Sequence, residues 1–130
     1  MPVIRHAESR RTETPNAVMT TLASPSQGGA GQAVWRVDMR PGQAGPLHVF
    51  DAELIWTALD GGASVEIGGE VLAVAPGDTL ILPAGAPRRI TADPAAGFSA
   101  IAAAPADARA CALPAPGAVP GEKFVPAWVA

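Results

Sequence analysis

The sequence predicts an all-β domain built from many short strands, either a sandwich or a closed barrel. Three observations carry that expectation. Glycine and proline, 14 of each, are spread along the whole chain between short apolar runs, a punctuation that suits turns between strands and leaves little room for helix. Residues 32–39 alternate, with Trp35, Val37 and Met39 on one face and Val34, Arg36 and Asp38 on the other, the period-two mark of a strand with one buried face. About nine such runs recur at turn spacings of roughly eight to twelve residues.

Taken in order, residues 1–15 are polar and carry Pro15, so they read as an N-terminal arm whose first strand, Val3 and Ile4, would pair with another chain. The barrel itself is expected over residues 16–104. Residues 18–23 are short and β-branched, a strand, and 24–31 (SPSQGGAG) form a loop before the alternating strand at 32–39. The turn PGQAGP at 41–46 precedes strands at 47–50 and 54–59. Residues 63–67 and 70–75 flank Gly68-Gly69, a two-residue link suited to a tight hairpin because glycine tolerates positive φ. Pro76-Gly77 turns the chain into a strand at 79–82, residues 83–87 turn it again into 88–92, and 98–104 is the last expected strand. Five prolines from Pro105 onward (105, 114, 116, 120 and 126) exclude a regular helix or a central strand. Residues 105–130 are therefore expected to lie extended over the barrel, anchored by Phe124 and Trp128.

Composition bounds the function. At 130 residues and 13.1 kDa the chain is one domain, able to bury roughly two-thirds of its unfolded surface. Hydrophobic residues make up 48% and charged residues 16%, the balance of a globular protein. A net charge of −3 and a pI near 5.2 speak against nucleic acid, which requires a basic face. The arginines at 5, 10 and 11 read as a solvated arm, and His6 beside them is assigned no role. No apolar run reaches the roughly 18 residues that cross a bilayer, and MPVIRHAESRR lacks the apolar core of a signal peptide; the expectation is a cytoplasmic protein with no membrane partner. Cys111 is the only cysteine, so no internal disulfide forms, and the thiol reads as inert.

Two stretches carry the chemistry. Residues 42–61 (GQAGPLHVFDAELIWTALDG) hold His48, the only histidine in the body of the chain, followed by Asp51 and Glu53. Residues 77–90 (GDTLILPAGAPRRI) follow a second pattern of spaced glycine and proline. Together they resemble the paired motifs of the cupin superfamily, small jelly-roll barrels. The first motif of that family runs glycine, five residues, histidine, then a second histidine two places on. A glutamate follows four further on, and a glycine seven after that. Gly42, His48 and Gly61 stand at those spacings. In the second motif Gly77, Pro83 and Gly85 match the glycine, proline and glycine that precede a third histidine.

The resemblance implies a jelly-roll β-barrel and, in typical members, a divalent metal held by three histidines and a glutamate. Here the ligand motifs are degenerate: His48 matches the first ligand, but Phe50, Leu54 and Arg88 occupy the other three positions. Phe50 and Leu54 have no lone pair to give, and Arg88 is a permanent cation. Glu53 is adjacent to a ligand position and on the opposite face of a strand unless a bulge turns it inward. No cofactor is therefore expected, with a divalent metal at His48 as the alternative.

Period two turns His48, Phe50, Leu54, Trp56, Arg88 and Ile90 inward, with Trp35, Val37 and Met39 as further lining. That composition describes an apolar cavity with one imidazole and one guanidinium. Arg88 would face an anionic ligand or else Asp51 or Glu53 as an internal ion-pair partner. Arg89 points to solvent. Three functions are consistent with this pocket. The first is a metal-independent barrel that binds a small, largely apolar, anionic molecule. The second is an isomerase or polyketide-type cyclase using His48 as acid or base and Arg88 as oxyanion stabiliser. The third is a metalloenzyme with a reduced ligand set. Against these, His48 also reads as a satisfied core histidine, and Trp35 and Trp56 as plain packing. The expected assembly is a homodimer joined through edge strands and the arm.

Overall fold

A computed structural model describes residues 3–115 and 117–130; Met1 and Pro2 of the arm and Pro116 of the tail lie outside the described residues. Among these there is no α-helix, only a single 3-10 turn at His6–Glu8. Eleven strands follow: β1 (Arg10–Glu13), β2 (Val18–Ala23), β3 (Gln32–Met39), β4 (His48–Phe50), β5 (Leu54–Gly61), β6 (Ala63–Ile67), β7 (Glu70–Val74), β8 (Thr79–Leu82), β9 (Arg88–Ala92), β10 (Phe98–Pro105) and β11 (Ala110–Ala112). They form two antiparallel sheets, β1-β2-β3-β10-β5-β8 and β11-β4-β9-β6-β7. The sheets face one another as a jelly roll and share no strand, so hydrogen bonding does not close the barrel.

The alternation read in β3 is seen directly: Ala33, Trp35, Val37 and Met39 are buried, and the residues between them are half-exposed. β10 supplies the inner face beside it with Phe98, Ala100, Ala102 and Ala104. Two large aromatics therefore flank a row of methyl groups, since Ala102 pairs with Trp35 on one side and with Trp56 of β5 on the other. Small inward side chains on the middle strand leave space between the sheets that a run of leucines would fill. Leu54, Val65, Leu82, Ile90 and Ala92 complete the core.

Two features differ from expectation. Val3 and Ile4 are not in a strand; the arm's strand is β1, and it pairs within the chain, Arg10 opposite Thr21 through Glu13 opposite Val18. β1 has no apolar alternation to announce it; its support comes from the β2 backbone it pairs with and from the side chain of Gln27, whose Oε1 accepts the N–H of Arg10 at 3.0 Å. In the tail, β11 forms between prolines. It lies at the edge of its sheet with β4 as its only strand partner, the position where a proline-flanked strand is tolerated, and the tail covers its outer side through the bridge from Ala110 to Phe124.

Candidate functional site

A cavity of about 290 Å³ opens between the two sheets. Its walls are almost entirely apolar. Trp35, Val37, Met39, Leu54 and Trp56 come from the six-stranded sheet, and His48, Phe50 and Ile90 from the other. The tail contributes Cys111, Phe124, Pro126 and Trp128, and the strap Thr14–Ala17 between β1 and β2 lies across one end. Period two had brought the first eight together. The strap and tail residues were not legible as lining, although Phe124 and Trp128, the only aromatic side chains in a proline-rich tail, carried the available signal.

His48 is the one imidazole of this cavity. Its Nδ1 lies 2.8 Å from the carbonyl oxygen of Pro46. A carbonyl only accepts, so Nδ1 bears the hydrogen, and in the neutral ring Nε2 carries a lone pair. Burial lowers the pKa of His48 below 6.5; the Pro46 carbonyl raises it in part, and the charge of Arg88 lowers it further. The ring is therefore neutral at pH 7, with one nitrogen satisfied and one free. It also meets Phe50 edge to face, with ring centroids 5.7 Å apart.

Arg88 sits opposite His48 in the β4–β9 ladder and is fully buried, but it is not part of the cavity wall. Its Nε donates to the carbonyl of Ala86 at 2.8 Å and Nη2 to that of Pro83 at 2.7 Å, with Nη1 unpartnered. The guanidinium carbon lies 5.9 Å from the centre of the Phe50 ring. The turn at 83–87 thus holds the side chain, and the guanidinium and the imidazole both neighbour the Phe50 ring. Nor does Arg88 have a carboxylate partner. Asp51 and Glu53, the expected ion-pair partners, are both exposed. Asp51 instead accepts the backbone N–H of Arg109 at 2.8 Å, and the ion pair among the described residues is Arg36–Asp38 on the outer face. The strand parity that turns Leu54 inward turns Glu53 outward, and no bulge reverses it.

Burial brings the Arg88 pKa down to about 10, which leaves it a cation at neutral pH at a cost of about 3 kcal/mol in desolvation. The two carbonyl bonds offset about that much. Arg88→Met, which keeps the volume and removes the charge, is accordingly expected to change stability by about 1 kcal/mol or less. Arg88→Ala, which leaves a hole beside Phe50, should cost about 3 kcal/mol. Urea melts of the two variants check this, and a large loss in Arg88→Met would show that the charge itself holds the turn.

A divalent metal does not fit the donors present. The four positions that hold it in typical members of the family resembled are His48, Phe50, Leu54 and Arg88, one ligand atom and one buried cation where about three protein ligands are required. Among the described residues no three His, Cys, Asp or Glu side chains converge anywhere else.

The Cupin domain family model matches residues 35–98, the span that contains both motifs and the cavity residues from Trp35 to Ile90. No curated protein matches the chain in sequence. Among solved structures, the polyketide cyclase RemF from Streptomyces resistomycificus is similar at a TM-score of 0.71 and 18% identity, over 83% of this chain and 81% of that one. A cupin 2 domain-containing protein from Halorhodospira halophila gives 0.65 and 18%, over 69% and 64%. An oxalate decarboxylase from Bacillus subtilis gives 0.70 and 17%, over 79% of this chain; the chain spans only 29% of that protein. At such identities the likeness is one of fold. The family match and these neighbours agree with the jelly roll and the motif spacing: the chain carries a small cupin-superfamily domain.

Proposed function

We propose that this barrel binds a small, largely apolar molecule between its sheets without the help of a metal. The observation that carries this is the cavity: about 290 Å³ of space with almost entirely apolar walls and a single neutral imidazole. A void of that size in a 130-residue core is far larger than packing defects, and an apolar hollow with one oriented polar group is how small-molecule sites are built. Arg88 is held by two backbone carbonyls and is not part of the cavity wall, so it gives no argument for an anionic ligand, and the ligand is inferred to be neutral.

A second reading keeps the same site and adds turnover. A neutral His48 with Nδ1 held by Pro46 has its Nε2 lone pair free to take a proton, the requirement for a general base in an isomerisation or a cyclisation. The cyclase among the structural neighbours supports that reading by fold alone. It would proceed without Arg88 as oxyanion stabiliser.

Naphthol, a flat apolar probe with one hydroxyl, tests the site by calorimetry. One equivalent should bind, equally well with and without chelator, and binding should weaken as the pH falls below 6.5 through the lowered pKa of His48, because the protonated ring can no longer accept a hydrogen bond. Stability should follow the same sign. An imidazole that resists protonation when folded takes up a proton on unfolding, so stability is complete above 6.5 and declines on acidification towards the lowered value. His48→Asn, which can still donate to Pro46, should flatten both profiles. Near-stoichiometric metal in protein purified without chelator, lost in His48→Ala, would overturn the metal-free reading.

A further inference from the structure

We infer that two copies of this chain associate along the side bounded by β7 and β8, each of these strands pairing antiparallel with its own copy across a two-fold axis. The inference is independent of the binding function proposed above. A free sheet edge presents unpaired N–H and C=O groups, and soluble proteins blunt it with charge, proline or a covering segment. The two sheets have four edges, β1 and β8 in one and β11 and β7 in the other. β1 reads RRTE, three charges in four residues, and β11 is covered by the tail, where Ala110 and Phe124 exchange both backbone bonds. The other two edges are bare. β8 reads TLIL, without charge or proline, and β7 reads EVLAV, with a single charge at its start. Their side chains are open as well: Val71 is 68% exposed, Ile81 63% and Leu72 40%, and Ile55, opposite Ile81 in the ladder, 41%. Exposed apolar side chains gathered on bare edges mark an interaction surface.

Parity and register explain why the occupant is a second copy. The carbonyl of Asp78 accepts the N–H of Ala58 on β5 at 2.9 Å. Alternation then directs the backbone groups of Leu80 and Leu82 towards β5 and those of Thr79 and Ile81 away from it. An axis through Leu80 sets Thr79 of each copy opposite Ile81 of the other, so each such pair exchanges both backbone bonds, and inward residues stay inward. An axis through Ile81 would instead set Thr79 against Pro83, which has no N–H to donate. On β7, Ile67 and Glu70 close the two-residue hairpin, so Val71 and Ala73 point away from β6, and an axis through Leu72 sets these two opposite one another. Residues 75–78 join the strands, and Leu72 and Leu80 stand almost equally far from that turn, so one axis serves both edges. No charged residue lies between Val71 and Val74 or between Thr79 and Leu82, so no charge meets its own copy. The strap and tail that border the cavity lie on the opposite side, with β1 and β11, and the association leaves them free.

Sedimentation of the intact chain tests this. The unaltered protein should reach twice the 13.1 kDa chain mass as its concentration rises. The double variant Val71→Lys, Ile81→Lys should raise the dissociation constant about a hundredfold or more, because both lysines would be desolvated beside their own copies. Both positions are exposed in the single chain, so the variant should still melt cooperatively in urea. Val3→Lys, at an exposed position of the arm, should leave the association unchanged. Hydrogen exchange gives a second measurement that needs no substitution. The N–H groups of Val71, Ala73, Thr79 and Ile81 face solvent in a single chain, and their exchange should slow by at least about tenfold between dilute and concentrated protein. A protein that stays monomeric up to its solubility limit, an association that survives the two lysines or is lost in Val3→Lys, or edge amides that exchange equally fast at both concentrations would each overturn the inference. Naphthol binding per chain should be the same in all three proteins, so the ligand site stands or falls separately.

Discussion

Gly61→Ala should lower stability by about 4 kcal/mol or more and the melting temperature by about 10 °C or more, while Gly85→Ala should cost about 1 kcal/mol. Both glycines belong to the framework of the two motifs, and both have positive φ, +68° and +76°, so the left-handed strain on an added methyl, roughly 1–2 kcal/mol, is common to them. What differs is the space. A Cβ on Gly61 would come within 2.0 Å of the carbonyl oxygen of Gly97 and 2.7 Å of its carbon, whereas at Gly85 nothing stands within 4 Å. The close approach serves the sheet, since that same Gly97 carbonyl accepts the N–H of Gly62 at 2.9 Å. A methyl there must part the end of β5 from β10, against backbone that cannot rotate away. It would also displace Phe98, which pairs with Gly61 and stacks on Trp56, so the damage reaches the cavity wall. Thermal and urea melts of the pair decide the matter. Equal losses would show that backbone conformation alone fixes the motif glycines.

This contrast also shows what a sequence can and cannot reveal. The spacing of Gly42, His48, Gly61, Gly77, Pro83 and Gly85 was sufficient to specify the family framework. The reason for Gly61 was hidden, because its neighbour Gly97 is far along the chain and the register shift between Ser99 and Ala100 sets the approach. Parity likewise turned Phe50, Leu54 and Trp56 of the first motif inward, where they are buried, and Glu53 outward, where it is exposed. It did not locate the guanidinium of Arg88, whose partners are carbonyls of the preceding turn and depend on how that turn bends. Nor could it find β1, whose sequence RRTE carries no apolar pattern, or join the tail to the cavity, a contact about 90 residues apart in sequence made by side chains with no periodicity to follow. Local rules read alternation well. They are silent where a segment is held by a distant backbone.

That distant segment supplies the second large effect. Removal of residues 124–130 should destabilise the fold by about 3–5 kcal/mol and weaken naphthol binding by at least about tenfold. Val129 and Pro126 are fully buried on the barrel, each contributing about 1.5–2 kcal/mol on extended-chain bookkeeping, an upper estimate, and Trp128 adds part of its larger surface. The backbone is tied as well: Oγ1 of the buried Thr21 donates to the carbonyl of Trp128 at 2.9 Å, Ser26 N–H to that of Ala130 at 2.9 Å, and Phe124 exchanges both bonds with Ala110. Deletion leaves the Thr21 hydroxyl buried in an apolar groove or forces it open to water. Phe124, Pro126 and Trp128 also form the wall that closes the cavity on this side, so the ligand would lose contact surface when the tail goes. Trp128→Ala separates the two roles. It keeps the carbonyl that Thr21 needs and removes the indole alone, so it should cost only about 2 kcal/mol in stability and still loosen naphthol severalfold. Calorimetric titration of both variants, at a temperature where each remains folded, measures this. Binding unchanged in the truncated chain would mean that the sheets alone make the site and the tail is only a brace.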